Sequence, residues 1–126
     1  MDALIVKKRW LDLILGNDPD QVKDWEIRGS RTNKRGEILL IESGSGLIVG
    51  KTEITGCTGL DYVDFVSHEK HHKIPPAMCG NELPYPNTFA WILKNSKRFE
   101  KPIPYKHPQG AVIWVNIPDE IVKGAV

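Results

Sequence analysis

The chain has 126 residues, of which 40% are hydrophobic and 26% charged, and a formal net charge of +1 at pH 7. This is ordinary usage for one globular domain able to bury a core, residues 1 to 126, and it exerts no global pull toward polyanions, so any nucleic-acid site must come from local clustering. No run approaches a membrane span and the apolar patch Met1 to Val6 is too short for a secretory signal, which points to a cytoplasmic protein without a membrane partner. Cys57 and Cys79 lack Cys-x-x-Cys spacing, so neither a disulfide scaffold nor a zinc ribbon is indicated.

Taken in order, Ala3 to Lys7 reads as a short buried strand running into Trp10 to Leu15, a turn or two of helix ended by Gly16. Asn17-Asp18-Pro19-Asp20 is turn chemistry that reverses the chain. Trp25 to Arg28 is the next strand, and alternation puts Trp25 and Ile27 on one face and Glu26 and Arg28 on the other. Opposite charges two apart on an exposed strand are usually only wet surface. Gly29 to Gly36 contains nothing that could bury a face and is a loop.

Glu37 to Glu42, dense in Ile and Leu, predicts a strand buried on both faces. Ser43-Gly44-Ser45-Gly46 turns it into Leu47 to Thr55, so these two strands, together with Trp25 to Arg28, are expected to form an antiparallel meander. Gly50 marks a bulge or bend. From Leu60 to Lys73 the period becomes helical, with Leu60, Val63 and Val66 at helical spacing and Phe65 as a further candidate, Asp61 or Thr58 as cap, and Ile74-Pro75-Pro76 as stop. Residues 75 to 88, with four prolines, form a covering loop in which Tyr85 is a candidate lid. Phe89 to Leu93 and Ala111 to Asn116 are the last strands, joined by an irregular connector. The expected fold class is α+β: a small β-barrel of five or six mostly antiparallel strands with two short helices.

The blocks Trp10-Leu11 to Leu15-Gly16, Lys23, Glu26 and Arg28, Arg35-Gly36-Glu37-Ile38, Leu47-Ile48-Val49-Gly50, Phe89-Ala90-Trp91-Ile92-Leu93 and Val112-Ile113-Trp114 resemble, in that order, the ASCH domains, which are PUA-like β-barrels. The resemblance covers residues 4 to about 117, and Gly-x-Lys-x-x-Glu-x-Arg followed by a basic loop is its most specific part. Six residues, Asn17 to Val22, separate Gly16 from Lys23 where the family has one or two. The resemblance implies a cleft beside the barrel, lined by Lys23, Glu26 and Arg28 and edged by Trp10, that takes RNA or a nucleotide-like small molecule. No cofactor is implied.

The loop after the strand supports this expectation in its own chemistry. Arg28, Arg31, Lys34 and Arg35 place four cations within eight residues, beside Ser30 and other small groups that let a backbone approach phosphate. A second cluster, Lys94, Lys97, Arg98, Lys101 and Lys106, is interleaved with Phe99 and Tyr105, aromatics on which a base could stack. Solvated loops share this composition, and the four tryptophans all sit in apolar patterns that suit a core.

Two enzymatic alternatives stand beside binding. Some ASCH-like proteins are amidohydrolases acting on acylated cytidine through a Lys-x-x-Thr pair; Lys23 matches the lysine, but Glu26 stands where the threonine belongs, and Glu69 or Glu82 is the candidate distant acid. A carboxylate can act as a general base on water but cannot form a hydroxyl's acyl intermediate. His68-Glu69-Lys70-His71-His72 also satisfies His-Glu-x-x-His, the pattern of zinc hydrolases, though its helix ends too soon and only His107 or Glu82 is available downstream as a third ligand, so no metal is expected.

Overall fold

A computed structural model describes residues 1–125. The elements are β1 (Asp2–Val6), α1 (Lys8–Ile14), β2 (Trp25–Arg28), β3 (Gly36–Glu42), β4 (Leu47–Leu60), α2 (Tyr62–Ser67), α3 (Glu69–His72), a 3-10 turn (Pro76–Cys79), β5 (Thr88–Pro104), β6 (Trp114–Asn116) and α4 (Asp119–Val122). The strands make one six-stranded sheet in the order β2-β5-β4-β3-β1-β6, antiparallel throughout except for the parallel β1 and β3 pair. The α+β class and the strand number agree with expectation.

Closure does not: β2 and β6 end the sheet without pairing to each other, so the sheet is not a closed barrel. The meander is also corrected. β3 and β4 form the expected hairpin, whereas β2 pairs with β5, Trp25 facing Ile92 and Arg28 facing Phe89. The reason lies in β5, a single strand of 17 residues that absorbs the stretch expected to be an irregular connector. Register shifts along the β4 and β5 pair, with Asn95 in a left-handed conformation (φ 56°), bend this ribbon enough for it to serve β2 with its first half and the β4 hairpin end with its second.

The double burial of β3 is as expected. Ile38 and Leu40 join Leu4, Val6, Leu11, Ile14 and Trp91 in one core under α1, while Leu39 and Ile41 join Ala3, Ile5, Ile48, Phe99 and Val115 in a second core on the opposite face. A third, smaller cluster of Ile27, Phe65, Ile74 and Ala90 fastens the helical segment to β2 and β5.

That segment is two helices, not one. Asp61 caps α2 through a reciprocal capping box with Asp64. The helix stops at His68 because Ser67 Oγ and His68 Nδ1 both bond the Asp64 carbonyl, the acceptor that the next helical turn would need. The helical stripe is corrected in part: Phe65, its further candidate, is sealed, while Val63 and Val66 are exposed. The chain holds four short α-helices among the described residues instead of two, and none of its helices is long and apolar enough to cross a membrane.

Gly50 sits at the register irregularity expected of it, where the β3–β4 and β4–β5 pairings both shift, and it also marks a close approach. A Cβ there would lie 2.5 Å from the Lys97 carbonyl oxygen and 3.0 Å from Leu15 of the α1 side, and a main-chain oxygen in a bonded ribbon cannot retreat cheaply. Gly50→Ala is therefore expected to lower stability by about 1–3 kcal/mol, the usual cost of overpacking, as read from the urea midpoint at unchanged m-value.

Candidate functional site

The gap where the sheet fails to close is a cavity of about 280 Å³. One wall is β2, through Glu26, Ile27 and Arg28; the other is the end of β1, through Ile5 and Lys7, with Ser43 and Val112 beside it. Trp10 of α1 and Tyr85 of the proline-rich loop supply aromatic surface, and Ile74, Met78, Cys79 and Pro84 complete the lining.

Lys23 precedes β2, as its three-residue offset from Glu26 requires if both serve one site. The Lys23 N–H donates to the Leu13 carbonyl at 3.0 Å, so the long segment Asn17 to Val22 loops outward and none of it reaches the cavity. The Lys23 side chain is 1% exposed, its Nζ donating to the His72 carbonyl at 2.7 Å and lying 5.1 Å from the centre of the Trp10 ring. Burial pushes this ammonium down to about 8; the Glu26 carboxylate opposes the fall and the Arg28 guanidinium adds to it.

Glu26 is 4% exposed and holds the centre of the group. Its Oε2 accepts from Arg28 Nε at 2.9 Å and lies 2.8 Å from Arg28 Nη2, while its Oε1 stands 3.8 Å from Lys23 Nζ, a coulombic contact too long for a hydrogen bond. Arg28 Nη2 also donates to the Ile5 carbonyl of β1 at 2.8 Å, so one guanidinium bridges the open seam of the sheet. Its carbon sits 5.7 Å from the Trp91 ring, which in turn stacks on Trp114 of β6.

Trp10, Lys23, Glu26 and Arg28 therefore converge as the sequence suggested. Ser30, Arg31, Lys34 and Arg35 do not line the cavity. The Ser30 carbonyl accepts from Trp91 Nε1, Arg31 lies over Phe89, Lys34 pairs with Asp2 at 2.6 Å and covers Trp114, and Arg35 bonds the carbonyls of Thr32 and Lys34. The four-cation loop is thus held largely by the protein itself. In the second basic cluster Phe99 is buried in the core and Tyr105 bonds His107, so neither is a free stacking surface.

Sequence reasoning missed Lys7, Ser43 and Met78, which reach the cavity from segments with no motif of their own, and Val112, whose block Val112-Ile113-Trp114 carries the family resemblance without pointing to a site. Tyr85, a candidate lid from its sequence position, is part of the lining, and Gly29 allows its approach: a Cβ at Gly29 would fall 2.9 Å from the Tyr85 ring.

The zinc pattern is corrected by the histidines' own bonds. His72 is fully buried, stacks on Phe65 with ring centres 4.2 Å apart, faces the Phe65 carbonyl through Nε2 at 2.6 Å and accepts the Ile74 N–H through Nδ1 at 2.9 Å. Both nitrogens are committed, so this ring cannot ligate a metal, and no group of three metal-ligating side chains occurs among the described residues. His68 and His71 instead stack on Trp25, each 4.9 Å from its ring centre.

The ASCH domain profile matches residues 4–103, most of the chain, and the protein belongs to the ASCH domain family. Among solved structures it is similar to the ASCH protein of Zymomonas mobilis, with a TM-score of 0.70 at 11% identity over 97% of this chain and 90% of that one. A serine-to-alanine variant of that protein gives 0.68 at 10% identity over 98% and 92%, and a tyrosine-to-phenylalanine variant 0.69 at 10% over 98% and 94%. At such identity the likeness is one of fold. No curated protein matches the chain.

Two outcomes follow from the site's electrostatics. Because Lys23 is sealed and its amine already depressed, Lys23→Met is expected to change stability by less than about 2 kcal/mol, whereas Glu26→Ala, which strands the sealed Lys23 and the half-buried Arg28, costs about 3–5 kcal/mol in the same denaturant titration. Burial holds His72 below the ordinary value of 6.5, so the folded state binds fewer protons than the unfolded chain. The contribution of His72 is complete above that value and is lost as the pH falls below it, and NMR of the ring nitrogens should find His72 neutral at pH values where an unfolded histidine is half charged.

Proposed function

We propose that this ASCH domain binds RNA by taking a single unpaired nucleotide into the seam cavity. The observation that carries the reading is the cavity itself: a concave site walled by Trp10 and Tyr85 and floored by a buried, hydrogen-bonded Lys23, Glu26 and Arg28 group. Such a combination of apolar and aromatic walls with a few fixed polar groups is how small-ligand sites gain orientation and specificity. Its volume lies at the low end of ligand cavities, which suits one nucleotide unit and not a run of bases.

Recognition of unpaired RNA relies on splayed bases stacked on aromatic side chains, and ASCH domains share the PUA-like fold often linked to RNA. Lys7, exposed at the mouth, is the cation placed for the adjoining phosphate. Lys23 acts here as a positioning residue, since its amine is turned to the His72 carbonyl and its side chain is nearly sealed.

The acylated-cytidine hydrolase reading is weaker. Glu26 occupies the hydroxyl position, and neither Glu69 nor Glu82 lines the cavity, so no second acid stands ready. Its one favourable feature is the depressed Lys23 amine.

Fluorescence titration with a single-stranded RNA pentamer at low salt tests the proposal. Tyr85→Ala is expected to weaken binding by about 1–3 kcal/mol, the worth of one base–aromatic stack, and a fully paired duplex of the same sequence should not compete. Equal affinity for duplex and single strand, or an unchanged Tyr85→Ala variant, would remove the cavity from RNA binding.

A further inference from the structure

Resting on the reading above, we infer that the nucleotide enters base first and that Glu26 Oε1 reads a nitrogen-bound hydrogen on the base edge, so that the site selects bases carrying an N–H donor. The inference comes from an imbalance within the buried carboxylate. Oε2 is engaged by Arg28 through Nε and Nη2. Oε1 accepts no hydrogen bond from the described residues, the Lys23 amine being 3.8 Å away and committed to the His72 carbonyl.

Among those residues no sealed side-chain nitrogen or oxygen lacks a partner. Oε1 is therefore open, and the space that Glu26 borders is the cavity. A nearly buried carboxylate oxygen without a donor is an unused acceptor: a ligand that brings an N–H gains a charge-assisted hydrogen bond, and one that brings only acceptors faces repulsion.

The same feature fixes the ligand's direction. A phosphate placed against Oε1 would set like charges together in a poorly hydrated site, while at the mouth it meets Lys7. Arg28 offsets this only in part, because its Nε and Nη2 already donate to Glu26 and Ile5 and leave Nη1 alone for a ligand. The flanking Trp10 and Tyr85 rings suit the faces of the base and leave its edge for Glu26.

Binding of mononucleosides by NMR titration tests the inference with probes that lose the donor without gaining bulk: cytidine against pyrimidin-2-one riboside, and adenosine against purine riboside. Loss of the amino group should weaken binding about tenfold or more, as when a site built to bond a donor meets an analogue lacking it. In Glu26→Gln the amide oxygen stays with Arg28 and the NH₂ turns to the cavity, so the preference should reverse toward the ribosides without the amino group.

Equal affinity of wild-type protein for both members of each pair overturns the inference and leaves RNA binding standing. Base-edge reading is likewise overturned, with RNA binding intact, if the RNA pentamer binds and no nucleoside does. If neither pentamer nor nucleoside binds, the RNA reading falls and the inference with it. The wild-type comparison decides the matter even if Glu26→Gln fails to fold.

Discussion

The site depends on one side chain spanning a gap that the backbone leaves open. β2 and β1 lie on the two sides of an unclosed sheet, and Arg28 joins them by holding Glu26 on its own strand and the Ile5 carbonyl on the other. A lysine at that place would offer a point charge without the planar fork that reaches two acceptors in fixed directions. Because the link is a side chain and not a ladder of main-chain bonds, the seam keeps an internal volume that a closed barrel of this size would fill.

Around this bridge the protein maintains charges that would be costly alone. Lys23 and Glu26 are both withdrawn from water, and each is tolerable because of what surrounds it: a main-chain carbonyl and the Trp10 face for the ammonium, a guanidinium for the carboxylate. Burial lowers the lysine's proton affinity, and the carboxylate is left with one oxygen satisfied and one facing the cavity. The floor holds two cations against one carboxylate, each of them fixed by protein partners.

The helical segment backs the site from behind β2, and histidines fasten it. The His72 carbonyl receives Lys23, and the His72 ring bonds Phe65 and Ile74 on either side of the turn. His71 adds a 2.9 Å contact with Asp24, next to Lys23, and with His68 covers Trp25 at the start of β2. What looks in sequence like a metal motif is a clasp that sets the strand, the turn and Ile74 of the cavity lining in fixed relation.

The sequence by itself determined the local facts: the doubly buried strand at Glu37 to Glu42, the irregularity at Gly50, a helix cap at Asp61 or Thr58, and the shared face of Glu26 and Arg28. These follow from alternation, side-chain volume and capping chemistry, all of which act within a few residues. The ASCH resemblance carried the convergence of Trp10, Lys23, Glu26 and Arg28, which spacing alone left as possible wet surface. Only the tertiary structure decided that β2 pairs with β5, that the sheet stays open, that the cations of the loop at 31 to 35 face Asp2, Phe89 and their own carbonyls, and that Lys7, Met78 and Val112 border the cavity. Strand partners and charge partners distant in the chain are chosen by competition among long-range contacts, and no periodicity within a segment records which one wins.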